Sequence, residues 1–352
     1  MSMQAVILVG GQGTRLRPLT ETRPKPMMPL VDRPFVEHQV DQLKRHGITD
    51  IVFSCGYRPD AIEAYFGDGQ AFGVTMRYVV DPVPLGTAGA VANAIGLLEH
   101  DEVLVLNGDI LSDLDLDEVV RGHREVGARA TIALTPVEDP SAYGLVRLNP
   151  DRSVKEFLEK PSRDQLLPDE PFLINAGTYV LGRDVVASIP GGRSCSIERE
   201  IFPAVAEAGG LYGHPSDDYW RDIGTPASYL DAHHDVLAGR VRTNSPTGAF
   251  HAGVGCTIAA AAEVAGGSSL GADCSVADGA RVIGAVVGAG CRVDAGAVLS
   301  GCVLGAGVVV GAGAHIDGLA VIGDNARIDA GVRLDADARI EVGQMVTEAS
   351  VR

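Results

Sequence analysis

The amino-acid sequence predicts two domains, an α/β domain with a mainly parallel sheet and then a domain of short repeated coils. Up to about Gly239, short β-rich runs alternate with helical stretches, the pattern of a layered α/β domain. Beyond Gly253 aromatic residues disappear, and an apolar residue recurs about every sixth position. The chain has 352 residues, of which 46% are hydrophobic, enough for two cores. We therefore predict domains over residues 1–239 and 254–345, joined by a linker over residues 240–253.

The first strand of the α/β domain leads straight into a glycine-rich turn. Ala5–Val9 is apolar, and three of the next four residues, Gly10–Gly13, are glycine. Glycine can adopt positive φ and lets backbone N–H groups approach a bulky anion, and Arg15 and Lys25 then add positive charge. The turn lacks the Gly-Lys-Ser/Thr of a P-loop, and Leu16 stands where a dinucleotide-binding turn needs its third glycine. We predict a phosphate cradle of another kind.

Further strands and a helix follow in the same domain. The clearest strands are Ile51–Cys55, Met76–Val80 and Val103–Leu106. Between the apolar run Ala5–Val9 and the strand Ile51–Cys55, Pro34–His46 places its apolar residues on one helical face, and Gly47 is suited to end that helix. Such alternation puts ligand-binding groups at the carboxyl ends of the strands, where the glycine turn also lies.

The second domain is predicted by an apolar repeat with a period of six residues, interrupted by two steps of five. Glycine often follows the apolar residue directly, as in Leu304-Gly305, which suits a tight corner in each repeat. The pattern resembles the hexapeptide repeats of a left-handed β-helix, in which each apolar residue points to the axis and stacks on its equivalent one coil along. The apolar series is Ile258, Val264, Leu270, Val276, Val282, Val287, Val293, Leu299, Leu304, Val310, Ile316, Ile322, Ile328, Leu334 and Ile340.

A β-helix of this kind often carries acyltransferase activity, with a histidine as general base. His315 is the one histidine of the repeat, and it neighbours the inward Ile316 with no acceptor motif around it. We therefore predict a structural, oligomerising or regulatory module. A bifunctional enzyme that also transfers an acyl group is the alternative.

Composition and charge exclude several classes of partner. The formal net charge of −17 repels nucleic-acid phosphates and anionic membranes. No apolar run approaches the roughly 20 residues of a membrane span, and the first residues lack the order of a signal peptide. We expect a cytoplasmic protein that binds neither nucleic acid nor membrane. We also expect a homo-oligomer, formed through an exposed flank of the β-helix.

The cysteines and histidines do not predict a metal centre. The six cysteines are dispersed without a Cys-x-x-Cys pair, which argues against a zinc ribbon or a dithiol redox site, and we expect them to be buried and reduced. His233–Asp235 could bind a metal, but its neighbours predict an ordinary helix. We expect this cluster on a solvated face and assign it no role.

The glycine turn and the residues after it resemble the signature of the sugar-phosphate nucleotidyltransferases. Gly10–Leu16 matches Gly-Gly-x-Gly-Thr-Arg-Leu position for position, and Pro24–Pro26 matches the Pro-Lys-Pro that follows it in that family. The resemblance implies a Rossmann-like, GT-A-like nucleotidyltransferase domain, here followed by the left-handed parallel β-helix. It implies transfer of a nucleotide from a nucleoside triphosphate to a sugar 1-phosphate, with release of pyrophosphate.

This reaction needs charge stabilisation and positioning more than acids or bases, because the attacking phosphate oxygen is already ionised. Mg²⁺ suits the task, since it prefers hard oxygen ligands and usually takes one or two carboxylates. Asp109 follows a predicted strand, and Asp222 lies in Trp220–Pro226. In the resembling family, aspartates at these two motifs hold the metal.

The resemblance also implies roles for other residues, carried over motif by motif. Arg15, Lys25 and Asp109 would be catalytic, with the two cations on the triphosphate and the departing pyrophosphate. Lys160 would neutralise the sugar phosphate, and Glu159 would accept hydrogen bonds from sugar hydroxyls. The nucleotide would contact Leu8, Gly10, Gly11, Gly13, Thr14, Arg15, Lys25, Asp81, Gly86, Thr87 and Asn107, and the sugar phosphate would contact Gly144, Glu159, Lys160 and Asn175.

Asp81 bears on the choice of nucleotide. Guanine presents two neighbouring donors that one carboxylate can accept, whereas uracil and thymine offer one donor between two acceptor oxygens. Asp81 therefore favours GTP, although Asp81-Pro82 is equally an ordinary turn dipeptide.

Within the family, the motifs Pro84–Gly89, Ile174–Gly177 and Ser196–Pro203 are most similar to those of guanylyltransferases that act on mannose 1-phosphate. Those enzymes usually carry acidic residues at both positions 81 and 82, and Pro82 departs from this pattern. On the strength of the three matching motifs, the expected reaction is GTP plus mannose 1-phosphate giving GDP-mannose. Thymidylyl- or uridylyltransferases acting on glucose 1-phosphate are the alternative, and a catalytically silent regulatory subunit is an alternative of another class.

Overall fold

The computed structural model describes residues 3–166 and 171–347. The chain divides into two compact units. Gln39–Trp220 and the described residues up to Gly11 form the first unit, and Gln12–His38 and the described residues from Arg221 onward form the second. Residues 12–38 thus group with the C-terminal part of the chain, although they directly follow the glycine turn. The domain limits predicted at residues 239 and 254 stay a prediction. Among the described residues, no helix is long and apolar enough to cross a membrane.

The elements that precede the repeats alternate as the sequence predicts. The strands are β1 (Gln4–Val9), β2 (Pro29–Leu30), β3 (Arg33–Pro34), β4 (Asp50–Cys55), β5 (Thr75–Val80), β6 (Glu102–Asn107), β7 (Ile110–Ser112), β8 (Ala130–Pro136), β9 (Gly144–Leu148), β10 (Val154–Glu159), β11 (Leu173–Gly182), β12 (Leu211–Pro215) and β13 (Trp220–Asp222). The helices are α1 (Phe35–Arg45), α2 (Pro59–Phe66), α3 (Gly86–Asn93), α4 (Leu116–Glu125), α5 (Arg183–Ser188), α6 (Phe202–Glu207) and α7 (Pro226–Leu237).

The first unit is built on a nine-stranded mixed sheet. Its main path runs β10-β9-β11-β6-β1-β4-β5, with β8 beside β11 and β12 beside β8. β1 is parallel to both β4 and β6, and β4 is parallel to β5, whereas β11 is antiparallel to β6. The carboxyl ends of β1, β4, β5 and β6 therefore share one edge of the sheet.

The local predictions for this unit are confirmed. The predicted strands lie within β4, β5 and β6, and the predicted helix is α1. Gly47 follows α1 with a φ of 70°, and its N–H donates to the carbonyl of Lys44 at 3.0 Å. The apolar residues of β1 have no exposed surface from Ala5 to Ile7, as expected of a central strand whose two faces are both covered.

The repeats form three parallel sheets, in which each strand pairs with the strand three places further along the chain. Two sheets hold six strands each and the third holds five, consistent with the left-handed β-helix, and the predicted fold class is confirmed. The strands are β14 (Phe250–Ala252), β15 (Thr257–Ile258), β16 (Glu263–Ala265), β17 (Ser268–Leu270), β18 (Ser275–Val276), β19 (Arg281–Ile283), β20 (Val286–Val287), β21 (Arg292–Val293), β22 (Val298–Ser300), β23 (Val303–Leu304), β24 (Val309–Val310), β25 (His315–Ile316), β26 (Val321–Ile322), β27 (Arg327–Ile328), β28 (Arg333–Leu334), β29 (Arg339–Ile340) and β30 (Met345–Val346).

The predicted inward series is buried with two departures at its start. From Leu270 to Ile340 every member is at most 7% exposed, and Val346 continues the series at 3%. Val264 is only half-buried, and Ile258 is 37% exposed, although Ile258 pairs in register with the inward Val276. Ile258 belongs to the first coil, and its strand pairs only with the next coil.

In most repeats the tight corner lies two residues later than the sequence predicts. Gly305 follows the inward Leu304 without a positive φ, whereas Gly307 turns the chain with a φ of 67°. Gly305 is needed for a different reason, because a Cβ at that position would overlap the side chain of Asp324 in the next coil. Glycine after an inward residue therefore serves close approach between coils.

Two further expectations need correction. Five of the six cysteines are buried free thiols, but Cys256 is only half-buried because it lies in the first coil. His233 and Asp235 do not lie on a solvated face, since they are 1% and 4% exposed. Asp235 pairs with Arg221 at 2.7 Å and with Arg240 at 2.5 Å, and α7 packs this face against the rest of the second unit.

Candidate active site

The glycine turn leaves β1 past two other glycines of the first unit. A Cβ on Gly56, which follows β4, would lie 2.7 Å from the carbonyl oxygen of Gly10. A Cβ on Gly108, which follows β6, would lie 2.6 Å from the carbonyl oxygen of Leu8. Both distances are too short for real atoms, so the two neighbouring strands must end in glycine to let this turn pass.

Asp81 lies next to this turn, at the end of β5. Its Oδ1 accepts a hydrogen bond from Asn93 at 3.0 Å, and a Cβ on Gly10 would lie 3.8 Å from its Oδ2. Burial raises the pKa of Asp81, and hydrogen bonds from Asn93 and Ser54 offset part of that rise. The structure therefore brings Asp81 to the glycine turn, as a base-reading carboxylate would require.

The predicted base loop is held by a segment far along the chain. Gly86 begins α3 with a φ of 69°, and a Cβ there would lie 2.7 Å from the carbonyl oxygen of Cys195. The Thr87 hydroxyl donates to Oε2 of Glu198 at 2.9 Å and accepts from the N–H of Ile197 at 2.9 Å. Both hydrogen-bonding roles of this hydroxyl are thus used inside the protein, which makes Thr87 a support of the loop.

Two asparagines predicted at the site meet on one tyrosine. Asn175 donates to the Tyr179 hydroxyl at 2.9 Å, and Asn107 lies 3.5 Å from the same oxygen. Tyr179 is fully buried, and this burial, with a smaller contribution from Glu198, raises its pKa well above the ordinary value. Asp109 lies in the turn directly after Asn107 and is half-buried. The hydroxyl of Tyr179 therefore fixes the amides beside Asp109 and in the predicted sugar pocket.

The other residues predicted to bind the sugar phosphate lie on the antiparallel pair β9 and β10 or directly after it. Gly144 is directly opposite Glu159, and a Cβ on Gly144 would lie 3.2 Å from Oε2 of Glu159. Lys160 is exposed and has a φ of 52°, and its N–H donates to the carbonyl of Tyr143 at 2.8 Å. A left-handed backbone is unfavourable for lysine, so this hydrogen bond helps to hold Lys160 in place.

The second unit brings together Arg15, Lys25 and Asp222. The guanidinium of Arg15 lies 4.0 Å from Oδ2 of Asp222, and the ammonium of Lys25 lies 3.9 Å from Oδ1. Oδ1 also accepts a hydrogen bond from the N–H of Gly224 at 2.7 Å. The Lys25 side chain is only 8% exposed, whereas that of Arg15 is 64% exposed. One carboxylate thus lies beside both predicted phosphate-binding cations.

Local contacts fix the backbone that carries the two cations. Gly13 has a φ of 63° and begins the short helical turn Thr14–Leu16. A Cβ on Gly13 would lie 2.9 Å from the Cβ of Lys25, and the Thr20 hydroxyl donates to the carbonyl of Gly13 at 2.9 Å. Gly13 therefore lets Lys25 pack against the turn.

The second unit also holds a cavity of about 580 Å³ that the sequence did not predict. Its walls come from the β2–β3 hairpin, α7 and the first coils of the β-helix, and they include Leu19, Met28, Tyr229 and Val303. None of the predicted site residues lines it. The predicted site residues of the second unit lie around Asp222 and those of the first unit lie at its strand ends, and we assign no role to this cavity.

Comparison with known proteins identifies the family. The model of the nucleotidyl transferase family matches residues 4–239, about two thirds of the chain, and that of the GMPPB C-terminal domain matches residues 247–347. A mannose-1-phosphate guanylyltransferase from Mycobacterium tuberculosis is 40% identical over 295 residues, which are 81% of this chain and 79% of that relative. The chain belongs to the nucleotidyl transferase family.

Other members of the nucleotidyl transferase family match less of the chain. A mannose-1-phosphate guanyltransferase from Debaryomyces hansenii is 39% identical over 233 residues, or 65% of this chain and 63% of that relative. The structure of HddC from Yersinia pseudotuberculosis complexed with GMP-PN is 28% identical, with a TM-score of 0.56, and covers 65% of this chain and 97% of that one.

Nucleotidyl transferases generally use a divalent metal, and the residues present suit one. Asp109 and Asp222 offer carboxylate oxygens, the hard donors that Mg²⁺ and similar ions take from proteins. Bound metal would supply positive charge to the phosphate oxygens. The roles of both aspartates in holding it stay a prediction.

Sequence reasoning missed the residues of this nucleotidyl transferase that support the site. Gly56 carries a readable signal, a glycine directly after a predicted strand, as at Gly10. Glu198 lies in a motif that was recognised, Ser196–Pro203, but its partner Thr87 is 111 residues away. Such distant pairs leave no local pattern in a single sequence.

Proposed function

We propose that this nucleotidyl transferase is a mannose-1-phosphate guanylyltransferase that makes GDP-mannose from GTP and mannose 1-phosphate. The observation that carries the proposal is the 40% identity to the Mycobacterium tuberculosis enzyme of that name, which spans about four fifths of both chains. A position for Asp81 beside the glycine turn supports the choice of guanine.

The reaction needs substrate binding and charge stabilisation, and the predicted site residues offer both. A phosphate oxygen of mannose 1-phosphate attacks the α-phosphorus of GTP, a new P–O bond forms, and the bond from the α-phosphorus to the bridging oxygen of the β-phosphate breaks. Pyrophosphate leaves with the electron pair of that bond. Arg15 and Lys25 would stabilise the negative charge that grows on this leaving group. Lys160 would bind the phosphate of the sugar, and Glu159 and Asn175 would orient its hydroxyls.

Asp81 would select the base by accepting hydrogen bonds from N1–H and the N2 amino group of guanine. Its partial burial strengthens such bonds, because water competes less for the carboxylate. Pro82 removes the second acidic residue that resembling enzymes usually carry, so Asp81 would read the base alone.

The metal would be Mg²⁺, held by Asp109 and Asp222. A cytoplasmic location and a homo-oligomeric state stay predictions from the sequence.

The deciding experiment measures metal-dependent pyrophosphate release for five nucleoside triphosphates against mannose 1-phosphate, glucose 1-phosphate and two other sugar phosphates. We expect the highest kcat/KM for GTP with mannose 1-phosphate. A preference for dTTP or UTP with glucose 1-phosphate would instead identify a thymidylyl- or uridylyltransferase. Absence of release with every pair would favour a regulatory subunit. An Asp109→Ala variant in the same assay is the control for contaminating activity.

A further inference from the structure

One carboxylate of the β-helix interrupts a column of small residues. Leu270, Val287, Leu304 and Ile322 stack as inward residues of successive coils. Two positions after each of them stand, in the same order, Ala272, Ala289, Ala306 and then Asp324. With Val254 in the first coil and Val342 in the last, this corner is apolar throughout the sheet except at Asp324.

The side chain of Asp324 is buried and fully engaged. Its Oδ1 accepts from the N–H of Ala306 at 2.8 Å. Its Oδ2 accepts from the Thr22 hydroxyl at 2.6 Å and from the Arg23 guanidinium at 2.9 Å, and the side chain is only 8% exposed. Gly305 in the preceding coil makes room for it, since a Cβ there would overlap Oδ1. Three hydrogen bonds and a glycine thus accommodate one charged group.

Burying a carboxylate costs free energy unless the carboxylate is paired, so the position of Asp324 in the β-helix needs an explanation. The corners at Ala272, Ala289 and Ala306 form without a carboxylate. The β-helix therefore does not need Asp324 to turn. Besides its bond to the N–H of Ala306 within the β-helix, Asp324 adds the pair of bonds to Thr22 and Arg23.

Thr22 and Arg23 belong to the segment that carries the phosphate-binding cations. They lie between Arg15 and Lys25, and two residues of chain span at most about 7 Å, so fixing Arg23 restricts Lys25. Apolar contacts hold the same segment, because Leu16, Leu19 and Met28 cluster with Val286, Val303 and Val321 of the β-helix. Those contacts are non-directional, whereas the bonds to Asp324 fix position.

We propose that Asp324 is a positioning residue of the transfer reaction. From the β-helix it fixes residues 13–27 so that Arg15 and Lys25 meet the triphosphate beside Asp222. This inference rests on the proposed function. It gives the β-helix a part in catalysis without placing any of its residues on the substrate.

The test compares Asp324→Ala and Arg23→Gln with wild type in the full chain. Alanine is the residue that the preceding coils use at this corner, so we expect the variant to fold. We expect kcat/KM for GTP to fall about tenfold or more, the loss typical of a broken bond between charged groups, while KM for mannose 1-phosphate stays within about twofold. The double variant should lose little more than either single one, because both changes remove the same contact. Asp329→Ala, an exposed position one coil corner away, is the control and should match wild type.

Hydrogen exchange gives a second readout that does not depend on turnover. In Asp324→Ala, amides of residues 13–27 should exchange faster than in wild type, while those of β21, β24 and β27 should not change. An active wild type whose Asp324→Ala variant keeps kcat/KM for GTP and the exchange pattern would overturn this inference alone. A wild type that releases no pyrophosphate with any substrate would overturn the proposed function, and this inference with it.

Discussion

The carboxylate of Asp222 lies within 4.0 Å of the guanidinium of Arg15 and of the ammonium of Lys25, so it can interact with both cations. Without metal it neutralises two cations that would otherwise repel each other. With a metal and triphosphate bound, the cations would turn to the phosphate oxygens. One residue would thus serve both states of the site.

Asp222→Asn should weaken metal use more than it weakens folding. The amide keeps the shape of the side chain but loses the charge that holds a divalent ion, so we expect half-maximal activity to require at least about tenfold more Mg²⁺. The measurement is pyrophosphate release over a Mg²⁺ titration. Asp231→Asn, on the exposed face of α7, is the matched control. An unchanged Mg²⁺ requirement in Asp222→Asn would remove Asp222 from the metal site.

Asp81→Asn should erase discrimination between GTP and ITP. Inosine keeps N1–H but lacks the N2 amino group, so an enzyme that reads both donors prefers GTP by about 1–3 kcal/mol if values from duplex readout transfer. The ratio of kcat/KM for the two nucleotides gives this preference directly. If wild type and Asp81→Asn show the same ratio, Asp81 is a turn residue.

His233 predicts a loss of stability at mildly acidic pH. Burial is the main cause that lowers its pKa from the ordinary 6.5 to about 3, opposed in part by its hydrogen bond to Pro29. The unfolded chain therefore binds a proton below about pH 6.5 that the folded chain refuses until about pH 3. In this window the free energy of unfolding should fall by up to about 1.4 kcal/mol per pH unit from this group.

Urea unfolding at pH 7.0 and 5.5 tests this expectation. The difference between the two pH values should be smaller in His233→Gln than in wild type. Some pH dependence should remain in the variant, because burial also lowers the pKa of His123 and His214. Equal differences in both proteins would show that His233 is not the group that titrates.

At the scale of the element, two isoleucines of one predicted series separate the core of the β-helix from its open first coil. Ile316 has no exposed surface, whereas Ile258 is 37% exposed. We expect Ile316→Ala to cost about 2–5 kcal/mol of unfolding free energy, since it leaves a cavity, and Ile258→Ala to cost less than about 1 kcal/mol. Thermal or urea unfolding of the two variants gives the comparison. Similar costs would mean that the first coil is covered in solution, as a homo-oligomer could do.

The same elements show how far the sequence could lead. The period of six is local, so the inward series was readable from residue types alone, as were the strands around the glycine turn. The contacts of Asp324 with Thr22 and Arg23 were not readable. Asp324 becomes an exception only when coils of 17 and 18 residues are aligned, as when Val287 pairs with Leu304 and Leu304 with Ile322.

At the scale of the whole molecule, the residues that join distant parts of the chain were the hardest to predict. Residues 12–38 group with residues 221–347, although nothing in their own pattern indicates a partner so far away. The motifs named Arg15, Lys25 and Asp222 separately, and the structure brings these three together. The predicted site residues were readable because their chemistry depends on residue type. The contacts that hold them in place join residues about 200 to 300 positions apart, which a local pattern does not show.

A chain ending at residue 245 should therefore not behave as an independent enzyme. It would lack Val286, Val303 and Val321, which cover Leu16 and Leu19. We expect such a chain to be largely insoluble or to release pyrophosphate at less than about 1% of the wild-type rate, because its predicted phosphate-binding segment loses its apolar support. A chain ending at residue 347 is the control. A soluble short chain with wild-type activity would show that the β-helix is dispensable.

The hydrogen bond between Thr22 and Asp324 can form only late in synthesis, because the two residues lie far apart in the chain. Ribosomes add about 5–20 residues per second, so roughly 15–60 s pass between the synthesis of Lys25 and that of its distant anchor. Throughout that interval the nascent protein already carries its glycine turn and both cations, but it lacks the bonds that Asp324 makes to Thr22 and Arg23. A nascent chain that has not yet reached residue 324 would thus use nucleoside triphosphates less efficiently than a chain that contains this anchor.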